Sequence, residues 1–405
     1  MGEKTLFLFT EKFPYKGGEP FLETEIGYLA SAFDEVLVFP WISGDTLVMH
    51  LPENVKVMET LMPMELRMRQ LLKSRWGLFL TWFLGEVFSS RHRFRYLKEF
   101  KWNFYRWMGM LKISLAWMDK LKILKEQHPN PKLYTYWFNE WGTVLALARC
   151  MGMKDRFVSR VHLYDFEEEF SGRGYLPFRD REMKQVHKVF PISEYAKEYV
   201  KKRYPETNME CLRLGVEDRG TNPISNAEAY TIVTCSGLSW YKRPLLLVEV
   251  LKQLTIPVRW VHLGDGPMRD AFLEATSQLP GHVKFEWKGS ISNIEVISFY
   301  QNTPVDMVLN LSSYEGIPVS LMEAISFGIP IAGCNVCGMP EIVNSNAGLL
   351  LEENAASKAI SQYLQSFVVA NSRDVSFRNK VKQEWQKRFS AVHNYKKFID
   401  TLKHA

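Results

Sequence analysis

Apolar residues in this chain gather into short runs bounded by turn residues, and most runs lead into segments whose apolar positions recur with the helical period. Residues 5 to 10 are the first run and read as a buried strand. FPYKGGEPFLETEIGYLASAF follows, with Gly17 and Gly18 in a loop ahead of an amphipathic helix from about Pro20, and Val36 to Phe39 makes the next strand. The chain therefore opens β-α-β, the order that a parallel sheet requires. Residues 61 to 125 break the rhythm with a long helical region. Leu133 to Tyr136 resumes the sheet, Trp137 to Arg149 reads as a helix, FVSRVHLYDFEEEF gives a strand ending at His162, and Val189 to Ile192 adds another before a helix capped by Ser193. Cys211 to Val216 reads as the last strand of this series.

A polar stretch with Gly220 and Pro223, residues 217 to 229, reads as a linker. Beyond it a second β-α series begins with TIVTC at 231 to 235 and continues through Arg259 to Leu263, Val283 to Trp287, Val308 to Leu311 and Ile329 to Ala332. Phe377 to Leu402 is helical in pattern. Two such series predict two Rossmann-like α/β/α domains, at 1–216 and 230–375, with a terminal segment at 376–405.

The length of 405 residues is too great for one ordinary core and suits that division. With 46% hydrophobic and 24% charged residues the chain is globular in composition. Its five cysteines are scattered and odd in number, which points to free thiols in a reducing, cytoplasmic setting. The first apolar run is too short for a signal peptide, Gly2 lacks the Ser or Thr that a myristoylation signal places where Leu6 stands, and the longest uncharged apolar run, Trp76 to Gly85, is about half of what a bilayer needs.

Net charge is +6, but residues 61 to 125 hold fourteen Lys or Arg against four Asp or Glu, a local +10 that leaves −4 for the rest. Aromatics including Trp76, Trp82, Phe83, Phe94, Phe100, Trp102, Phe104, Trp107 and Trp117 stand there among Arg91, Arg93, Arg95, Lys98, Lys101 and Arg106. Such an insertion suits the anionic face of a membrane, and the competing reading is a helical cap with buried rings and solvated charges. No nucleic-acid motif accompanies the patch, so nucleic acid is not an expected partner.

The densest chemistry lies in VLNLSSYEGIPVSLMEAISFG, residues 308 to 328, which reads as strand, turn and helix. Glu315 falls in the turn and Glu323 inside the helix, and the helix start between them offers free N–H groups and a positive dipole end to a phosphate. One carboxylate can accept from sugar hydroxyls and the other from ribose hydroxyls. Lys242, near the start of an earlier helix, is placed to neutralise a leaving diphosphate. Gly17 and Gly18 let backbone amides approach a ligand, or simply make a strand-to-helix turn. His162 stands with Asp165 at the carboxyl edge of its strand, where open α/β sheets place ligands. Cys334 and Cys337 lack the second pair that a zinc site needs, and no metal is expected.

YEGIPVSLMEA resembles the Glu-x7-Glu signature of glycosyltransferase family 4, retaining enzymes of the GT-B fold, in which two Rossmann-like domains face across a cleft and a C-terminal helix crosses back to the first. The resemblance is strongest from about residue 231 to 350. It implies that Gly316, Ile317, Pro318, Val319 and Ser320 face a diphosphate, that Glu315 holds the donor sugar and Glu323 the ribose, and that His162, in a His-x-x-Asp segment, lies near donor sugar and acceptor. Gly264 and Gly266 resemble the family's Gly-x-Gly-Pro turn, and Lys288 and Gly289 suit the reading of a base. The family pattern Gly-Arg-Leu, three residues, Lys is met by Ser236-Gly237-Leu238 before Lys242, so Gly237 replaces a phosphate-binding Arg; Arg243 is the candidate substitute, although a side chain adjacent to Lys242 on a helix is expected to point elsewhere. The implied donor is a UDP- or GDP-sugar, consumed as substrate with no cofactor, and the implied acceptor is a saccharide or lipid-linked oligosaccharide, at the inner face of the cell membrane, in surface polysaccharide assembly. Two alternatives stand beside transfer: a GT-B sugar-nucleotide epimerase, and a catalytically silent membrane-docked polysaccharide-assembly subunit.

Overall fold

A computed structural model describes residues 4–65, 68–89, 92–168 and 174–405. Gly2, Arg91 and the last two residues of FVSRVHLYDFEEEF lie outside them. The chain divides into two compact units: Met1–Ile192 with Ala196–Leu212 and Lys397–Ala405, and Ser193–Tyr195 with Arg213–Lys396.

The first unit holds β1 (Thr5–Thr10), β2 (Glu35–Pro40), β3 (Val55–Val57), β4 (Lys132–Thr135), β5 (Phe157–Val161) and β6 (Lys188–Pro191) in one sheet ordered β3-β2-β1-β4-β5-β6. All its neighbours pair parallel. Every residue of β1 is buried, because alternate side chains enter different cores. Leu6 and Leu8 pack with Leu22, Ile26 and Leu29 of the helix Leu22–Ala32, and with Phe398. Phe7 and Phe9 pack on the other face with Trp107, Trp117 and Trp141.

That second face explains the aromatic insertion. Its longest helix, Phe100–Gln127, lies against the helix Glu140–Cys150 and buries Trp107 and Trp117 completely, while Trp82 and Phe83 join the same core. Four of the aromatics expected on a membrane face are therefore core residues, since a parallel strand buried on both sides needs a cover on each. Trp76, Phe94 and Phe100 remain exposed, as do Phe88 and Tyr105. No helix among the described residues is long and apolar enough to cross a membrane.

The second unit repeats the architecture with β7 (Tyr230–Cys235), β8 (Val258–Leu263), β9 (Val283–Trp287), β10 (Met307–Asn310), β11 (Ile331–Cys334) and β12 (Gly348–Leu351), again parallel throughout and ordered β9-β8-β7-β10-β11-β12. In both sheets the order reverses beside the first strand of the series, between β1 and β4 and between β7 and β10. It is at the carboxyl ends of the strands beside such a reversal that open α/β sheets place their ligands.

Two sequence expectations are corrected. Cys211 to Val216 forms no strand: Glu210 and Leu212 donate to the carbonyls of Val189 and Pro191, and Val216 bridges Ser390 in isolation. The terminal helix is two helices, Val375–Arg388 and Ala391–His404, interrupted at Phe389 and Ser390. The break occurs where the Val216 N–H donates to Phe389 and Ala391 donates back to Val216.

Candidate active site

In the second unit the loops that follow β7 and β10, residues 236–243 and 311–318, meet at the point where the strand order reverses. Lys242 comes from a 3-10 turn, Trp240–Lys242, and Glu315 from the loop after β10; their side chains form an ion pair, about 15% and 13% exposed. Pro318 caps the helix Val319–Ser326 from an extended conformation and offers no side-chain hydrogen bond to that N-terminus. Gly316 lies against Gly338, where a Cβ would stand 2.5 Å from the Gly316 carbonyl, and the Gly338 N–H donates to the Glu315 carbonyl. Ile317 is buried, and Val319 and Ser320 are half-buried. These residues thus come together at one helix start.

Glu323, on the next turn of that helix, is buried and accepts a 2.5 Å hydrogen bond from Asn293. Asn293 was missed by the motif reading. It opens the helix Asn293–Asn302 after a Ser292/Glu295 capping box, and this Ser-x-x-Glu pattern is the signal that could have placed it. Burial pushes the Cys235 thiol, at the end of β7, up to about 12, with Glu323 adding to the rise and Lys242 opposing it. It is a protonated neighbour of both groups and not a nucleophile.

Ser236 donates from its backbone to Leu263, and Leu238 exchanges backbone bonds with Asp265 and Met268. The Gly264 and Gly266 turn is knitted to this loop: a Cβ on Gly264 would stand 2.0 Å from the Ser236 carbonyl, and one on Gly266 2.7 Å from the Leu238 nitrogen. The two glycines bring loop against loop. Gly289 likewise spends its carbonyl on the Gly264 N–H.

Arg243 departs from expectation. It is not a helical residue pointing away but the left-handed cap, φ 49, of the helix Pro244–Lys252. Its guanidinium turns to the carbonyls of Ser312, at 3.3 Å, and Glu353, at 3.1 Å. A left-handed residue with a side chain costs about 1–3 kcal/mol, which its fixed surroundings must offset.

In the first unit, Gly17, Gly18 and His162 are linked through Glu19 and Trp137. The Glu19 carboxylate accepts from the N–H groups of Glu11, Lys12 and Phe13 and from Trp137 Nε1. Gly18 fits because a Cβ would stand 2.7 Å from the Phe13 nitrogen, so the close approach it allows is to its own loop. Trp137 lies 4.0 Å, centroid to centroid, from His162. The His162 ring is buried, and its Nε2 has no hydrogen-bond partner among the described residues.

Burial pulls His162 down to about 3, Arg160 adds to the fall, and a bond with the Tyr136 backbone opposes it. Its partner across the turn, Asp165, accepts from the His162 N–H at 2.8 Å and is pushed up to about 7 by burial. The two act oppositely on stability. His162 withholds a proton that the unfolded chain takes up, so its contribution is intact above about 6.5 and is lost as pH falls toward 3. Asp165 retains a proton that the unfolded chain releases, so its contribution is intact below 3.8 and is lost as pH rises toward 7. A His162→Gln variant removes the first effect alone. Its stability relative to the native chain is expected to rise as pH is lowered from about 7 to 5, by up to about 1.4 kcal/mol per pH unit, in urea unfolding at each pH. A difference that does not change with pH would show that the folded ring protonates normally.

Fold and site together define a two-unit α/β protein whose second unit presents a helix start, a lysine and two carboxylates at a topological switch point. Residues 221–387 match the family model for glycosyl transferases group 1. Among curated relatives, Escherichia coli WcaL, whose name assigns it a glycosyltransferase role in colanic acid biosynthesis, is 26% identical over 248 residues, covering 57% of this chain and 60% of WcaL. The chain thus spans about three fifths of that relative's length. Anabaena HepE, solved with UDP-glucose, superposes with a TM-score of 0.67 at 16% identity over 100% of both chains. The lipopolysaccharide outer core galactosyltransferase WaaB superposes with a TM-score of 0.67 at 15% identity over 98% of both. The fold shared with these structures is GT-B.

Proposed function

We propose that this protein transfers a sugar from a nucleoside-diphosphate sugar to an acceptor hydroxyl, with retention at the anomeric carbon and without a metal. The observation that carries the reading is the Lys242–Glu315 pair at the switch point of the second sheet, with Glu323 buried on the adjoining helix. Lys242 and the N–H groups of Val319 and Ser320 stabilise the departing diphosphate, the largest electrostatic demand of the reaction. Glu315 holds hydroxyls of the donor sugar, and Glu323, steadied by Asn293, holds the ribose. In the first unit, Gly17, Gly18 and His162, the last as a neutral imidazole, contact the acceptor. The acceptor oxygen bonds to the anomeric carbon as the bond to the diphosphate breaks, and the acceptor's proton passes to the leaving phosphate.

UDP- and GDP-sugars are the favoured donors; HepE is a GT-B protein solved with UDP-glucose. WcaL and WaaB carry names from surface polysaccharide assembly, which favours a saccharide or lipid-linked acceptor. The exposed Phe88, Phe94, Phe100 and Tyr105, beside Arg93, Arg95, Lys98 and Lys101, suit contact with an anionic cytoplasmic membrane face.

The test is incubation with radiolabelled nucleotide sugars and membrane lipid extract. Label entering lipid or oligosaccharide, and lost in Glu315→Ala, is the expected result. Isomerised donor would replace the reading with an epimerase, and tight lipid binding without turnover would replace it with an assembly subunit.

A further inference from the structure

Residues 241–243 reach three of the four residues 312–315. The Tyr241 carbonyl accepts both the N–H and the hydroxyl of Ser313, at 2.8 and 3.2 Å. Lys242 pairs with Glu315, and Arg243 donates to the carbonyls of Ser312 and Glu353. The loop that carries Glu315 is thus held residue by residue by the turn that carries Lys242.

We propose that Arg243 is a positioning residue for the transfer reaction: its guanidinium fixes the 312–315 loop so that Glu315 meets the donor sugar in register with Lys242. The inference rests on the function proposed above. A glycine would occupy φ 49 freely, so the residue present is the one whose backbone is disfavoured there and whose side chain compensates by bridging two carbonyls. Both terminal nitrogens are committed to protein carbonyls, and Nε is buried without a partner among the described residues. Arg243 therefore acts through the loop and does not supply the phosphate contact that Gly237 lacks. Lysine lacks the planar fork whose two terminal nitrogens make these donations, so it is not an equivalent replacement.

The experiment compares Arg243→Gly and Arg243→Lys with the native chain in kcat, KM, UDP affinity and thermal midpoint. The expected result for Arg243→Gly is a kcat lower by about ten- to a hundredfold with UDP affinity changed less than about threefold and no fall in thermal midpoint, because the strain is relieved while the loop is released. Arg243→Lys is expected to lose kcat similarly. A tenfold loss of UDP affinity in Arg243→Gly that Arg243→Lys restores would overturn the proposal in favour of direct phosphate contact, and unchanged kcat would overturn it outright. If the native chain transfers no sugar, the functional reading fails and the clamp is judged by amide hydrogen exchange. Faster exchange at Ser312–Gly316 in Arg243→Gly then supports the loop-holding role, and unchanged exchange overturns it.

Discussion

Replacing Lys242 with alanine is expected to lower kcat about a hundred- to a thousandfold, the loss typical of removing one preorganised donor to a developing anion. The ammonium is mostly buried and held by Glu315, so little reorganisation is needed when charge accumulates on the leaving diphosphate. Lys242→Arg is not expected to restore the rate, because a planar fork does not fit a point occupied by one ammonium. Single-turnover transfer with donor at saturation checks this directly. A kcat within about threefold of native would remove Lys242 from the chemistry.

The largest effect on stability is expected from Trp117→Ala, a loss of about 3–5 kcal/mol. Trp117 is fully buried and packs edge-on to Phe7, Phe9 and Phe39, with Trp141 beside it. The cavity would open between the insertion and the middle of the first sheet. Urea unfolding followed by tryptophan fluorescence should show an earlier transition for the first unit; two units need not unfold as one step. A loss below about 1 kcal/mol would mean that the helix Phe100–Gln127 is not the cover of this sheet.

The same tryptophan shows where sequence reasoning reached its limit. Aromatic residues at helical spacing among cations have one signature whether the rings meet lipid or a protein core, because both bury the ring and leave the charge in water. The deciding clue lay elsewhere, in β1: TLFLFT is apolar at both parities, so each face of the central strand required a cover. The second unit was more legible because its strands are bounded by glycine and polar turns, and Val283–Trp287 falls where the pattern puts it. In the candidate site, Glu315, Glu323 and Lys242 were visible as charges at helix starts. Arg243 was not, since a left-handed backbone redirects a side chain without altering the residue pattern. Cys211 to Val216 misled because its apolar residues are buried in an extended segment that makes only scattered bonds to its neighbours.

The placement of the last residues bears on how the chain is made. Phe398, Ile399 and Leu402 are buried in the first unit, where Phe398 packs on Tyr134 and Phe190 and lies under the Arg160 guanidinium, itself paired with Glu25. During synthesis these side chains emerge only after every residue of the second unit has left the ribosome. The earlier-made unit must wait with an open seam over its sheet, while the later-made one has almost all its residues in the continuous stretch 213–396 and can close first. Order of translation and order of completion are therefore reversed in this protein.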